Sequence, residues 1–216
     1  MNAYAFTFAG EILIALPSGA LHWPARNLLC LSDLHLGKSE RLARRGGTLL
    51  PPYETRETLN RLDHDLTATD AHHVICLGDS FDDDEASASL DAEEVGTLVR
   101  LMAGRDWIWI AGNHDPAPTG FGGRHCAELS EGPLTFRHIA GPVQGGEISG
   151  HYHPKASIAG RSRPCFLIDA MRVILPAYGS YTGGLRTTDE ALLALMKPDS
   201  LAVLTGRRAL VVPMAR

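Results

Sequence analysis

Four short clusters of aspartate, asparagine and histidine are the part of the sequence best suited to chemistry. They are SDLHLG at 32–37, GDS at 78–80, GNHD at 112–115 and GHYH at 150–153. Carboxylate oxygen, imidazole nitrogen and amide oxygen together suit Mn²⁺, Fe or Zn²⁺ better than the all-oxygen site that Ca²⁺ favours. A single histidine usually has an ordinary structural explanation, but four such clusters in one chain predict a transition-metal site.

Two of the clusters contain pairs of candidate ligands at the same spacing. Asp33 and His35 are two residues apart, and so are His151 and His153. In an extended segment, residues i and i+2 project to one face. We therefore expect each pair to reach a common region or to divide between two adjacent ions, and no thiolate is needed.

The first three clusters each follow a short apolar run that is typical of a buried β-strand. These runs are 27–32, 74–77 and 107–111. Strands of this kind, alternating with helices, indicate a parallel α/β unit. Because the carboxyl ends of parallel strands meet at one rim of the sheet, the clusters should converge there.

The other elements of the first half are a hairpin and several helices. The hairpin is predicted over residues 4–8 and 11–16, around Ala9 and Gly10. The predicted helices are a short basic one over 39–45, one opening at Pro51 and Pro52 with Leu59, Leu62 and Leu66 on a common face, and one with Val95, Leu98, Val99 and Met102 on a common face.

The second half contains little predicted helix and many short strands. They lie near 133–139, 146–150, 156–160, 164–169, 172–175 and 201–213. The whole chain is therefore predicted to be mixed α/β, with sheet on both sides of the core. We expect a single domain over residues 1–216, because no linker divides the chain.

Composition sets the broad class of protein. With 44% hydrophobic and 21% charged residues, the chain can bury a core and is not a disordered or fibrous protein. A net charge of -5 argues against a protein that coats nucleic acid by bulk positive charge.

None of the four cysteines forms a C-x-x-C pair; Cys30 and Cys76 lie in apolar runs and are predicted to be buried. Together with the absence of a signal peptide or membrane-spanning run, this predicts a soluble cytoplasmic protein.

The ordered series D-x-H, G-D, G-N-H-D, a later histidine and G-H-x-H resembles the signature of calcineurin-like metallophosphoesterases. The resemblance implies a four-layer sandwich of two mixed β-sheets flanked by helices. It implies two divalent metal ions, one held by Asp33, His35 and His153, the other by Asn113, His138 and His151, with Asp79 bridging both. His138, in TFRHIAG, matches by order alone, and a surface strand histidine is the alternative interpretation.

Two longer segments carry a closer resemblance. SDLHLGKSERLARRG at 32–46 and LPAYGSYTGG at 175–184 resemble the bacterial metallophosphoesterases associated with DNA ligase in DNA-damage repair. The resemblance implies a Mn²⁺-dependent phosphodiesterase or endonuclease. The implied partners are DNA, in single-stranded form, and ligase-associated repair proteins.

The chemistry explains why two ions would be needed. Two ions roughly 3.5–4 Å apart bind phosphate oxygens, orient in-line attack and turn a bridging water into hydroxide near neutral pH. The family resemblance implies that His114 faces the substrate and protonates or stabilises the leaving oxygen. Asp115 is expected either to accept a hydrogen bond from His114 or to cap a turn before Pro116.

Three further groups of residues have two open interpretations each. The basic segment of Lys38, Arg41, Arg44 and Arg45, opposed only by Glu40, either grips a nucleic-acid backbone or is a solvated helix face. Tyr178 and Tyr181 either stack on a base or ribose or pack a glycine-rich loop. The acidic run 82–85 either supports the metal site or, as we favour, starts a helix.

The same metal core serves more than one function. The preferred one is a DNA phosphodiesterase. A phosphomonoesterase acting on nucleotides or phosphoproteins would use the same nucleophile. A non-catalytic scaffold would show substituted ligands, and none is substituted here.

Overall fold

The computed structural model describes residues 2–47, 50–117, 120–142 and 145–215, and the backbone alone at residue 84. Within these ranges the chain forms two mixed β-sheets and five α-helices. This confirms the predicted mixed α/β class with sheet on both sides of the core.

The first sheet contains the seven strands of the first 126 residues in chain order. They are β1 (Tyr4–Phe8), β2 (Glu11–Ala15), β3 (Leu21–Trp23), β4 (Leu28–Leu31), β5 (His73–Cys76), β6 (Asp106–Ile110) and β7 (Arg124–Cys126). Strands β1 to β4 are antiparallel, and β4 to β7 are parallel. The predicted hairpin is confirmed, with positive φ at Ala9 and Gly10 in its turn. The carboxyl ends of β4, β5 and β6 lie side by side, as expected.

The second sheet is formed by the rest of the chain. Its strands are β8 (Glu128–Glu131), β9 (Leu134–Arg137), β10 (Glu147–Ser149), β11 (Lys155–Ile158), β12 (Arg161–Ile168), β13 (Arg172–Ile174), β14 (Leu201–Leu204) and β15 (Leu210–Pro213). They pair in the order β15-β14-β12-β13-β10-β9-β8, with β11 beside β12. The run 201–213 is two antiparallel strands, divided by a turn with Gly206 at a φ of 124°. The pairs β9–β10 and β10–β13 are parallel, so the sheet is mixed.

The helices are α1 (Lys38–Arg44), α2 (Glu54–Thr69), α3 (Asp84–Ser89), α4 (Ala92–Met102) and α5 (Glu190–Leu195). The segment after β5, predicted as one helix, contains both α3 and α4. The division occurs at Asp91, whose side chain accepts from the backbone N–H of Glu94 while Glu94 reciprocates, a capping box that starts α4. Helix α5 was not predicted.

The apolar faces of helices α2 and α4 show how these helices pack on the first sheet. Leu59, Leu62 and Leu66 of α2 are buried on the outer face of the first sheet, as predicted. In α4 the buried residues are Leu98 and Leu101, whereas Val99 is 49% exposed, so its predicted inward position is wrong.

The two sheets pack face to face around the main core. Ile75 and Ile108 of the first sheet belong to one buried cluster with Phe136, Ile148 and Phe166 of the second. Helix α5 covers the other face of the second sheet through Leu192. The order helix, sheet, sheet, helix is the four-layer sandwich that the family resemblance implies.

Candidate metal centre

The polar clusters meet where strands of both sheets end. The backbone N–H of Asp33 donates to Gly78 O at 3.2 Å, and that of His35 donates to Asp79 O at 2.9 Å, so the loops after β4 and β5 are joined. In the second sheet, the N–H of Gly150 donates to His138 O at 2.9 Å, which joins the loops after β9 and β10.

A link between the two sheets closes the site. The backbone N–H of His151 donates to Asp33 Oδ2 at 2.9 Å. Gly150 permits this approach, because a Cβ there would lie 1.6 Å from Ser32 Oγ. The structure thus brings together all seven residues predicted as metal ligands.

Five of these seven residues have a left-handed backbone. The φ angles are 53° at Asp33, 47° at His35, 48° at Asp79, 70° at His151 and 46° at His153. L-residues other than glycine rarely adopt such angles, and clusters of them are typical of functional sites. The expectation that the i and i+2 pairs meet because their segments are extended is therefore wrong: each pair converges through two left-handed residues.

The first cluster consists of Asp33, His35 and His153, whose ligand atoms all lie within 4.8 Å of one another. His153 Nε2 is 3.1 Å from Asp33 Oδ1 and 3.4 Å from His35 Nε2. Asp33 and His35 are almost fully buried. Three lone-pair donors from two loops therefore face one small region.

The second cluster consists of Asp79, His138 and His151, which meet the same 4.8 Å criterion. His138 Nε2 lies 3.4 Å from Asp79 Oδ2, 3.2 Å from His151 Nδ1 and 2.9 Å from Asn113 Oδ1. His138 is only 5% exposed, so the alternative of a surface strand histidine is wrong.

Contacts at Nδ1 show which imidazole nitrogens can bind a cation. His138 Nδ1–H donates to Leu77 O at 2.7 Å. His35 Nδ1 lies 2.8 Å from Asp82 Oδ1, a close polar contact without hydrogen-bond geometry. In both rings Nε2 is the nitrogen left to face the cluster. Metal-binding histidines in proteins are held in this way by a carbonyl or carboxylate.

The charges in the clusters also suit a cation. Burial opposes ionisation of Asp79, but the hydrogen bond and charge of His138 outweigh it and lower its pKa to about 2. Burial likewise opposes ionisation of Asp33, yet contacts with His153 and His138 lower its pKa. Asp33 Oδ1 is buried without a hydrogen bond of good geometry. Ionised, partly unsatisfied carboxylates beside oriented imidazoles fit divalent transition metals.

The acidic run divides between its two interpretations: the favoured helix start holds from Asp83 onward, whereas Asp82 lies against the candidate metal site. Asp83, not Asp82, caps α3 by accepting from the N–H of Ala86. The Asp82 carboxylate is fully buried and contacts His35, Lys38 at 3.4 Å and Arg41. The sequence feature that could have indicated this role is the position of Asp82, three residues after the candidate ligand Asp79 in the same loop.

His35, Asp82 and His114 form a third group of closely spaced ligand atoms. Here the carboxylate already has two cationic neighbours, Lys38 and Arg41. Burial opposes ionisation of Asp82, but His35 and these cations hold its pKa well below the usual range. This group therefore positions a ligand and is less suited to holding a further cation.

His114 lies beside the clusters. Its backbone N–H donates to Asp79 Oδ1 at 2.9 Å, and its Nδ1 is 2.9 Å from the backbone oxygen of Asp82. Its ring packs edge-on against His35 at 5.2 Å between centroids. The ring is thus oriented by the backbone, with Nε2 as its second polar atom.

Asp115 has other partners than expected. Its Oδ1 accepts from the backbone N–H groups of Asp79 and Gly112, at 2.9 and 3.2 Å. Its Oδ2 accepts from those of Ser80 and Phe81, at 2.7 and 3.1 Å. The expected hydrogen bond to the His114 ring is therefore wrong, and Asp115 instead holds the turn that carries Asp79. Burial, with the Asp79 charge nearby, raises the pKa of Asp115 to about 6, although the hydrogen bonds from the Phe81, Ser80 and Asp79 backbone lower it.

The basic segment is balanced by acids that lie far along the chain. Lys38 and Arg41 contact Asp82, and Arg45 Nη2 lies 3.1 Å from Asp83. Arg44 is paired with Asp83, Glu85 and Glu40. The premise that Glu40 alone opposes these four cations is wrong, because the loop before α3 and its first turn bring Asp82, Asp83 and Glu85 to α1.

The two tyrosines of the 175–184 segment have different environments. Tyr178 is fully buried, its hydroxyl donates to Asp65 Oδ2 at 2.9 Å, and Arg61 lies 4.8 Å from its ring centroid. Tyr178 is therefore a packing residue. Tyr181 is 46% exposed.

A family model described as calcineurin-like phosphoesterase matches residues 26–188. The chain belongs to this family. The match contains all seven candidate ligands and His114, and it confirms the family inferred from the motifs. As a calcineurin-like phosphoesterase, the protein is a metal-dependent phosphoesterase.

A solved structure extends the comparison to the whole fold. The crystal structure of the nuclease MPE from Pseudomonas putida superposes with a TM-score of 0.79 at 29% sequence identity, over 97% of this chain and 100% of that one. A search of curated proteins finds no significant match. No helix in the described parts of this calcineurin-like phosphoesterase is long and apolar enough to cross a membrane.

Proposed function

We propose that this protein hydrolyses phosphodiester bonds in DNA with two divalent transition-metal ions. Asp33, His35 and His153 would hold one ion. Asn113, His138 and His151 would hold the other, and Asp79 would contact both. The observation that carries the proposal is the pair of adjacent ligand clusters, joined by the bond from His151 N–H to the Asp33 carboxylate.

Mn²⁺ is the proposed ion, with Fe and Zn²⁺ as alternatives that the same oxygen and nitrogen ligands accept. Two bound ions would supply charge that stabilises the phosphate in the transition state and a water of lowered pKa. Residues 1–216 are proposed to form one catalytic domain that works in the cytoplasm.

His114 is proposed to hold the proton that the leaving oxygen needs. Because its Nδ1–H donates to the Asp82 carbonyl oxygen, Nε2 is the atom left to face the substrate. Asp82 and Asp115 are positioning residues in this proposal. Asp82 orients the His35 ring, and Asp115 holds the turn of Asp79 through four backbone N–H groups.

DNA is preferred as substrate for two reasons. The centre lies between two open depressions, one lined by Asn113 and His138 and the other by His151 and His153. A DNA strand could therefore extend across the centre from one depression to the other. The structural neighbour of 29% identity is a nuclease. Single-stranded DNA is the proposed form, and ligase-associated repair proteins are the proposed partners. The basic segment does not enter this argument, since its side chains already have carboxylate partners.

The test is to compare Mn²⁺-dependent hydrolysis of single-stranded DNA, duplex DNA, RNA, cyclic nucleotides and a phosphomonoester by the same preparation. We expect single-stranded DNA to be cleaved fastest. Fast monoester hydrolysis without DNA cleavage would instead identify a phosphomonoesterase of nucleotides or phosphoproteins. Metal binding without any hydrolysis would identify a scaffold.

A further inference from the structure

The segment of residues 179–185, which we call the tyrosine loop, is anchored at both ends to the proposed metal ligands. At one end the backbone N–H of Gly179 donates to Asp33 O at 3.0 Å, and a Cβ at Gly179 would lie 2.0 Å from Leu34 O. At the other end, a Cβ at Gly184 would lie 2.0 Å from His153 O. Both approaches need glycine.

The middle of the loop is also held. Thr182 O accepts from Lys155 Nζ at 2.9 Å, and Thr182 Oγ1 donates to Gly179 O at 3.3 Å. Tyr181 is two residues from Gly179 and three from Gly184. At about 3.8 Å between successive Cα atoms, its Cα lies within roughly 8 Å of the first and 11 Å of the second. The Cα of Tyr181 is therefore within about 8 Å of Gly179, which is hydrogen-bonded to the backbone of Asp33.

Tyr181 lies in a turn of the tyrosine loop and is exposed. Its φ is 57°, in the region that side chains other than glycine rarely adopt, and 46% of the residue is exposed. Among the described residues, its hydroxyl has no hydrogen-bond partner and its ring no aromatic contact. An exposed aromatic side chain in a loop joined to the candidate ligands is available to contact a bound ligand.

Space for a ligand exists beside the loop. A depression of about 310 Å³ lies between His151, Tyr152 and His153 on one side and Gly184 and Leu185 on the other. A second one, of about 360 Å³, lies on the His138 side of the metal centre. A strand crossing the centre would therefore leave it next to the tyrosine loop.

This inference rests on the proposed function and specifies how the substrate is held. We propose that Tyr181 stacks on an unpaired nucleobase next to the scissile phosphate, with the strand leaving along the His153 side. A tyrosine ring can stack on any base, because every base has a π-face. In duplex DNA these faces are occupied by neighbouring bases, so a Tyr181 contact favours single strands.

The experiment combines protein variants with abasic DNA. The substrates are a labelled oligothymidylate and the same strand with one abasic site moved along it. Tyr181→Gly removes the ring and suits the positive φ, whereas Tyr181→Phe keeps the ring. Tyr53→Ala is the control, since Tyr53 is an exposed tyrosine preceding α2.

In the wild type, an abasic site at one fixed distance from the scissile phosphodiester should reduce its cleavage by about 5- to 140-fold. Tyr181→Gly should cleave the intact strand more slowly by a similar factor and lose this discrimination, while Tyr181→Phe and Tyr53→Ala should behave as wild type. If Tyr181→Gly cleaves the intact strand as wild type does, or still discriminates, the stacking role is wrong. If the wild type cleaves no oligonucleotide, the proposed function itself is wrong.

Discussion

Asp82 offers a sharp test of how the ligand clusters are supported. Its buried carboxylate lies 2.8 Å from His35 Nδ1 and also contacts Lys38 and Arg41. The substitution Asp82→Asn keeps the shape of the side chain but removes the charge. The amide oxygen of asparagine can still contact Nδ1–H, but an imidazole without a carboxylate partner is less basic and is therefore a weaker ligand.

Loss of such a supporting carboxylate typically weakens metal binding by about 10- to 100-fold, which corresponds to about 1.4–2.7 kcal/mol. We expect Asp82→Asn to weaken Mn²⁺ binding by this factor in isothermal titration calorimetry. The change should be confined to one of two ions, because His35 belongs to the first cluster alone.

Asp83→Asn is the matched control. Asp83 is the next residue, pairs with Arg44 and Arg45, and caps α3, but it contacts no candidate ligand. Its replacement should leave Mn²⁺ affinity unchanged. Equal metal affinity in Asp82→Asn and wild type, or equal losses in both variants, would refute the support that we assign to Asp82.

Three further predictions concern the proton donor, the Asp79 turn and a buried carboxyl group. His114→Ala should bind two ions by elemental analysis yet hydrolyse bis-p-nitrophenyl phosphate about 10²- to 10⁴-fold more slowly; loss of an ion would make His114 a ligand. Asp115→Ala should lower the free energy of unfolding by about 1–3 kcal/mol, since four backbone N–H groups lose their acceptor. The measurement is urea unfolding in the presence of EDTA, and an unchanged midpoint urea concentration would contradict the prediction. Burial raises the pKa of Asp65, although its hydrogen bonds, one of them from Tyr178, lower it. The folded protein therefore binds a proton at Asp65 more tightly than the unfolded chain does. The stability of wild type relative to Asp65→Asn should therefore fall as the pH rises above about 4, and a difference independent of pH would show that the pKa is not raised.

Six of the seven candidate ligands could be predicted from the sequence because they occur in short local motifs, whereas His138 was predicted from the order of the motifs alone. D-x-H, G-N-H-D and G-H-x-H place two or more donors within four residues, and the first two of these motifs follow strands whose apolar runs are visible. The residues that support them could not be found in this way. The role of Asp82 depends on Lys38 and Arg41 in α1, some forty residues earlier. The role of Asp115 depends on backbone N–H groups in another loop.

The fold likewise contains elements that the local sequence predicts and elements that depend on contacts with distant parts of the chain. Helix α2 was visible from its buried leucines, and the β1–β2 hairpin from its turn. Strands β3 and β7 contain three residues each, which is too short for a periodic pattern. They form because neighbouring strands offer hydrogen bonds. The left-handed backbone of five candidate ligands likewise follows from contacts between loops, which spacing alone does not reveal.

The most direct test of the account is a crystal structure with Mn²⁺, with anomalous diffraction recorded to locate the ions. We predict two peaks roughly 3.5–4 Å apart. One should lie among Asp33, His35 and His153 and the other among Asn113, His138 and His151, both in contact with Asp79. A single ion, or an ion held by His35, Asp82 and His114, would contradict the two-metal centre.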